Sequence, residues 1–268
     1  MSNQFLLNHL ASFSIAGPDA RSYAQSQFTA DVDRLAGDAW SPLAWCDPKG
    51  RVLATMMARA GENRVDLVLP AVQCESIREG LGRFTIGRRV DLSESGPVSG
   101  VFDGLGEATP LAFDPERGLL NDVAAPGDAA ALRNWRRLDL CQGLPWLEPE
   151  SSARHLPQWL GLEELGAVAY DKGCYPGQEV IARLHYRGTV KYRLAGLEID
   201  TVEAIDAHAR ITDAAGAGIG HWLGGMALES STIGLAVLAT RAESDGAVLV
   251  ACGERAHSAR VTAPETLC

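Results

Sequence analysis

Apolar and polar residues alternate in short stretches of this chain and follow helical spacing in others. A mostly apolar run from Leu10 to Ala16 stops at Gly17-Pro18-Asp19. Proline near a first turn starts a helix, predicted over Asp19–Phe28. Trp40–Cys46, Arg51–Arg59 and Arg64–Leu69 read as three strands, the last placing Val65, Leu67 and Leu69 on one face. The turns between them are Asp47-Pro48-Lys49-Gly50 and Ala60-Gly61-Glu62-Asn63. Ala71–Phe84 carries helical spacing through Val72, Ile77 and Leu81. Strand, helix, three strands, helix is an α+β order, not a run of parallel βαβ units.

Residues 93–128, rich in Gly, Pro, Asp and Ala, read as short strands and loops. Ala129–Gln142 predicts a helix bearing Leu132, Trp135, Leu138 and Leu140, and Gly143–Glu150 ends it irregularly. Leu156–Tyr170 reads as partly helical and partly extended. From Lys191 onward six short strands are separated by turn residues: 193–199, 209–212, 216–223, 234–238, 247–251 and 258–261. That texture suits a small antiparallel barrel or sandwich. A boundary near Ala195 divides the chain into an α+β region of two interleaved subdomains, 1–194, and a C-terminal β-barrel domain, 195–268.

The 268 residues are 46% hydrophobic and 22% charged, an ordinary globular composition that excludes fibrous and disordered classes. The formal net charge of -10 speaks against blanket binding of DNA or tRNA phosphates. It leaves room for a local basic pocket. The six cysteines show no C-x-x-C spacing and are too scattered for a secreted disulfide framework. Met1–Ala16 lacks a positive leader region, and no apolar stretch reaches spanning length. These readings predict a cytoplasmic protein without a membrane partner.

One segment, Asp171–Lys191, differs from the rest. Gly173 and Gly177 bracket Cys174, which implies backbone shapes or close approaches that a Cβ would block. Pro176 is placed to start a helix over Gln178–Leu184, with Cys174 at or just before its N-terminus. Lys172, Arg183, Arg187, Lys191 and Arg193 face only Asp171 and Glu179, a local basic excess that suits an anionic ligand.

The run Lys172-Gly173-Cys174-Tyr175-Pro176-Gly177-Gln178-Glu179, followed by Ala182-Arg183 and Tyr186-Arg187-Gly188, resembles the K-G-C-Y-x-G-Q-E signature of the YgfZ family. These are folate-binding proteins related to the T-protein of the glycine cleavage system. Ile15–Val32, Cys46–Arg51, Leu156-Pro157-Gln158 and Leu165-Gly166 also look like family segments, so the resemblance covers nearly the whole chain, weakly at 93–128. It implies an α+β and β-barrel ring around a tetrahydrofolate-type ligand. It also implies support for iron–sulfur cluster assembly or repair and, indirectly, tRNA modification. Cys174 carries the working thiol in that reading. Trp135, Lys172, Tyr175, Gln178, Glu179, Arg183 and Arg187 are the residues it places at the folate, with Trp135 stacked on the pterin and Lys172 and Arg183 on the glutamate carboxylates. The implied partners are folate and iron–sulfur client or assembly proteins. A folate-dependent aminomethyl transferase is the alternative, although no catalytic aspartate can be matched. The chain departs from the family at Leu10, where a second tryptophan belongs, at Gly161 and Val190, where asparagines are common, and at Tyr192, where a basic residue is common.

Other candidates are plainer. Asp31 and Asp33 read as an exposed turn, and Cys46 as a strand-buried thiol. The six histidines lack metal-ligand spacing, with His185 near enough to the motif to pair with Cys174. Gly216, Gly218, Gly220, Gly224 and Gly225 read as barrel turns rather than a nucleotide loop.

Overall fold

The computed structural model describes residues 4–35, 37–244, 247–253 and 255–268. Its elements run β1 (Gln4–Ala16), α1 (Ala20–Gln27), β2 (Ser41–Cys46), β3 (Val52–Ala60), β4 (Arg64–Pro70) and α2 (Ala71–Gly82). They continue as β5 (Asp91–Leu92), β6 (Gly96–Phe102), β7 (Thr109–Leu111), β8 (Asp114–Asn121), α3 (Ala129–Cys141) and α4 (Gln178–Arg187). The chain closes with β9 (Tyr192–Ile199), β10 (Arg210–Thr212), β11 (Gly218–Ala227), β12 (Thr232–Ala239), β13 (Ala247–Cys252) and β14 (Arg255–Thr262).

The first eight strands form one sheet in the order β2-β3-β4-β1-β6-β8-β7, with β5 paired to β1. All the pairings within it are antiparallel. β1 lies at its centre, and a register shift against β6 between Leu6 and Ala11 turns residues of the same parity to opposite faces on either side of it. Phe13 and Ile15 pack with Leu67 and Leu69 under α1 and α2, whereas Phe5 and Leu7 pack with Val68, Met57 and Trp135 on the other face. α3 crosses that second face. Its start is fixed by Asp128, whose carboxylate accepts the amides of Ala130 and Ala131, each at 3.0 Å.

The last six strands close into an antiparallel barrel, β10-β11-β12-β9-β14-β13. Its core is centred on Trp222. A Cβ on Gly234 would lie 2.2 Å from the Trp222 ring, and one on Gly225 2.5 Å from it, so these glycines make room for the indole. This corrects the reading of the glycine cluster as turns. Gly216 alone sits in a turn, and the other four belong to β11.

The barrel is seated on the body through one apolar cluster. Ala44, Cys46 and Val52 of the sheet meet Leu223, Ile233, Leu235 and Val237 of β11 and β12 there. A disulfide joins Cys141, the last residue of α3, to Cys268. The scatter of cysteines along the sequence concealed this pair, which stands 127 positions apart. Among the described residues no helix is long and apolar enough to cross a membrane.

Candidate functional site

Segments distant in sequence converge around the cysteine loop. Gly177 takes φ +82°, and a Cβ there would come within 2.4 Å of the Gly50 Cα. The 47–50 turn therefore forms the floor of the loop. Asp47 shapes that turn by accepting the amides of Lys49 and Arg51, each at 2.8 Å. Gln158 donates to the Ile181 carbonyl and to the Tyr170 hydroxyl, each at 3.0 Å. Thr29 donates to the Ala167 carbonyl at 2.6 Å and accepts the Ala44 amide at 2.9 Å. Gly173 behaves differently from Gly177. A Cβ on it would meet nothing within 4 Å, so only the second glycine of the bracket answers to a close approach.

On this base Cys174 is exposed. It precedes α4 by four residues, with Gly177 as the N-cap, so the thiol lies in the loop rather than on the first turn. Beneath it Tyr175 is buried, and burial pushes its phenol upward. The neighbouring Cys46 thiol is also buried and is raised by burial and then by Asp47. Gln178 reaches back to the Lys172 carbonyl at 3.5 Å. Glu179, Arg183 and Arg187 are exposed on α4. His185 pairs with Glu163 at 2.7 Å and stacks on Tyr170 at 3.9 Å, rather than meeting Cys174. Tyr170 donates to the same Glu163 carboxylate.

Two residues expected at a ligand are used elsewhere. The Lys172 ammonium donates to the carbonyls of Phe28 (2.8 Å) and Ala30 (2.6 Å) and lies 5.2 Å above the Tyr175 ring. It clamps the loop to the end of α1 instead of reaching outward. Burial lowers it to about 8, with Asp31 and Asp33 opposing. Trp135 is 1% exposed. Arg117 covers its ring at 4.7 Å, and Phe5 and Phe102 pack against it. The core therefore occupies the indole expected to stack on a pterin.

The residues following Trp135 do face a cavity. It has a volume of about 310 Å³ and lies on the seam between sheet, α3 and barrel. His9, Arg136, Asp139, Trp146 and Met226 are among its walls. Asp139 is 3% exposed, and its two oxygens are held separately. Oδ1 accepts from Arg117 at 2.7 Å and Oδ2 from the Trp146 indole at 2.9 Å. Burial raises this carboxyl, against the pull of Arg117 and Trp146. His9 is held neutral, at about 4, by burial and then by Arg136. Its two ring nitrogens are buried without a partner among the described residues. The sequence reading missed Asp139 and His9. The signal available was an aspartate in an otherwise apolar stripe of α3.

No protein-family model matches the chain. A protein of Haemophilus influenzae described as uncharacterized is 30% identical over 223 residues, spanning 79% of each chain. The tRNA-modifying protein YgfZ of Serratia proteamaculans is 27% identical over 230 residues, covering 72% of this chain and 69% of that protein. Its counterpart in Pectobacterium carotovorum is 29% identical over 230 residues, covering 71% and 69%. The chain belongs to the YgfZ family. Its fold matches that of the glycine cleavage system aminomethyltransferase T from Bartonella henselae, with a TM-score of 0.70 over 98% of this chain and 85% of that one at 15% identity. The cysteine loop is built on Gly50, and the seam cavity lies beside α3 of this T-protein-like fold.

One further cluster escaped the sequence. Glu203, Cys252 and His257 bring ligand-type atoms within 4.8 Å of one another on the barrel. Arg255 pairs with Glu203 at 3.1 Å and the Cys252 thiol donates to the Ala204 carbonyl at 3.0 Å, so two of the three groups already have partners outside the cluster.

Proposed function

We propose that this chain is a folate-binding accessory protein that supports iron–sulfur cluster assembly or repair and, through it, tRNA modification. The observation that carries the folate half is the buried carboxylate of Asp139 in the wall of the seam cavity. A reduced pterin presents adjacent N–H donors on its aminopyrimidinone edge, and a fixed carboxylate accepts them. The cavity volume lies at the lower end of the small-molecule range, so it holds the ring while the glutamate tail extends outward. Arg136, exposed at the cavity wall, is the cation placed for a tail carboxylate. Arg183 and Lys172, assigned to that task on sequence grounds, are not among the walls.

Cys174 has a separate task. Its exposed position on a rigidly founded loop suits transient exchange with a partner protein or small thiol. A single thiolate cannot hold an iron–sulfur cluster, which usually takes four ligands, so Cys174 would act with groups from another molecule. The name of the Serratia and Pectobacterium relatives, tRNA-modifying protein, supports the downstream half of the reading. The aminomethyl transferase alternative requires a carboxylate placed to act on the folate amine, and no catalytic aspartate can be matched in this sequence.

Calorimetric titration of tetrahydrofolate and 5-formyl-tetrahydrofolate into the full chain tests the proposal. Wild type and Cys174→Ala are expected to bind alike, and Arg136→Gln to bind more weakly. In cells lacking the protein, Cys174→Ala is expected to leave iron–sulfur enzyme activity unrestored. Failure of both folates to bind wild type overturns the folate half. Full restoration by Cys174→Ala overturns the thiol half.

A further inference from the structure

A second cavity, of about 500 Å³, opens on the same seam and shares no residue with the first. Its walls include Arg51, Arg154 and Arg210 together with His155, His208 and His221, and among the described residues they include no carboxylate. Two of the three guanidinium groups are held by neutral partners. Arg51 donates to the Arg154 carbonyl at 2.9 Å and lies 4.7 Å over the Trp159 ring. Arg154 donates to the Glu150 carbonyl. Arg210 lies across Gly218, where a Cβ would come within 3.0 Å of its Nε and Nη2. None of the ion pairs between described residues involves these three arginines. In a chain of net charge -10, this recess concentrates uncompensated positive charge.

The histidines complete the wall. His155 is 4% exposed, and its Nε2 is buried without a hydrogen-bond partner among the described residues. An unmade buried hydrogen bond is costly, and a bound acceptor would remove that cost. His208 stacks in parallel on His221 at 4.1 Å and holds φ +60°, an uncommon conformation for a residue with a Cβ. Burial, then His208, His221, Arg51 and Arg154, hold His155 at about 3. Burial, then His221 and Arg154, hold His208 at about 4. At neutral pH these two rings are therefore neutral N–H donors, and the arginines carry the charge.

We propose that this cavity binds the phosphate group of a small phosphorylated metabolite. Three guanidinium groups and the imidazole donors exceed what the two oxygens of a carboxylate can accept, whereas a terminal phosphate offers three strong acceptor oxygens and close to two negative charges. The positive charge is confined to a recess rather than spread along a face. That favours a small phosphoester over a nucleic-acid backbone, which is met by extended basic stripes.

The test is titration of inorganic phosphate and of adenosine 5′-monophosphate into the full chain at low ionic strength. Binding is followed by calorimetry and by NMR of the histidine side chains. Saturable binding is expected, with the His155 and His208 signals moving and their titration shifted upward by about one pH unit or more as the anion approaches. Arg154→Gln and Arg210→Gln are expected to weaken binding by about tenfold or more each through loss of a charge-assisted contact. Both positions are exposed, so their thermal midpoints should match wild type. Arg136→Gln, at the other cavity, is expected to bind phosphate as wild type does. Absence of saturation, unmoved histidine signals or undiminished binding by the two arginine variants each overturns the proposal. So does an RNA oligonucleotide that displaces the monophosphate and binds more tightly than it.

Discussion

Gly177 rests directly on Gly50: a methyl group on the former would lie 2.4 Å from the Cα of the latter and 2.6 Å from the Asp47 carbonyl oxygen. Gly177→Ala therefore combines a left-handed backbone penalty of roughly 1–2 kcal/mol with a main-chain clash that no rotamer relieves. Urea unfolding is expected to show a loss of at least that size. Gly173→Ala, with open space around it, should stay within about 0.5 kcal/mol of wild type. Equal behaviour of the two variants would refute this account of the loop.

Thiol accessibility gives a second check. Cys46, Cys74 and Cys252 are buried and Cys174 is exposed. Ellman's reagent should label one thiol rapidly in the native chain and the other three only on unfolding. Cys174→Ser should abolish the fast phase and leave the unfolding midpoint unchanged.

The pH dependence of stability follows from three histidines. His9, His155 and His208 are lowered to about 4, 3 and 4, so between pH 6.5 and those values the unfolded chain binds more protons than the folded one. Stability is then retained above pH 6.5 and lost as the pH falls. Each histidine that stays neutral contributes at most about 1.4 kcal/mol per pH unit. Denaturant unfolding at pH 7 and pH 5 should show the loss, with a shallower slope in His155→Gln. An unchanged slope in that variant would remove His155 from the account.

Among the described residues, Asp139 is the one carboxylate buried against a buried arginine, on the cavity side of α3. Asp139→Asn leaves Arg117 with Asp114 alone and is expected to destabilise by roughly 3 kcal/mol, the scale for breaking a buried pair. Trp146→Phe removes a single indole hydrogen bond to a carboxylate and should cost about 1.5–3 kcal/mol. Thermal and urea unfolding of both variants checks the order.

Much of this was legible from residue order. The strands flanking Asp47–Gly50, the helix bearing Trp135 and the barrel texture after Lys191 all follow local periodicity and turn chemistry, and each appears within a few residues of its expected place. The cysteine loop was legible as a motif. Its foundations were not, because Gly50, Gln158 and Thr29 meet it from distant parts of the chain and carry no local signal of that contact. The family resemblance implies outward roles for Trp135 and Lys172, as a stacking ring and a charge partner. Burial decided otherwise, filling the core with the indole and turning the ammonium onto two backbone carbonyls. The His155–His208–His221 group lay hidden for the same reason as the Cys141–Cys268 pair, since the fold alone brings them together.

Reduction of that disulfide gives a further measurement. The bond closes a loop between cysteines 127 positions apart, and its removal by dithiothreitol or Cys268→Ser should lower stability by about 2–4 kcal/mol. Calorimetric melting with and without reductant reads the change.

The bond also alters how the barrel is moored. The chain ties the barrel to the body at Tyr192, and Cys268 ties its far end back to the tip of α3. A unit fastened at both ends cannot swing like a door on one hinge. The joined sulfurs therefore restrict how far the barrel wall of the seam cavities can move away from α3, and reduction would relax that restriction.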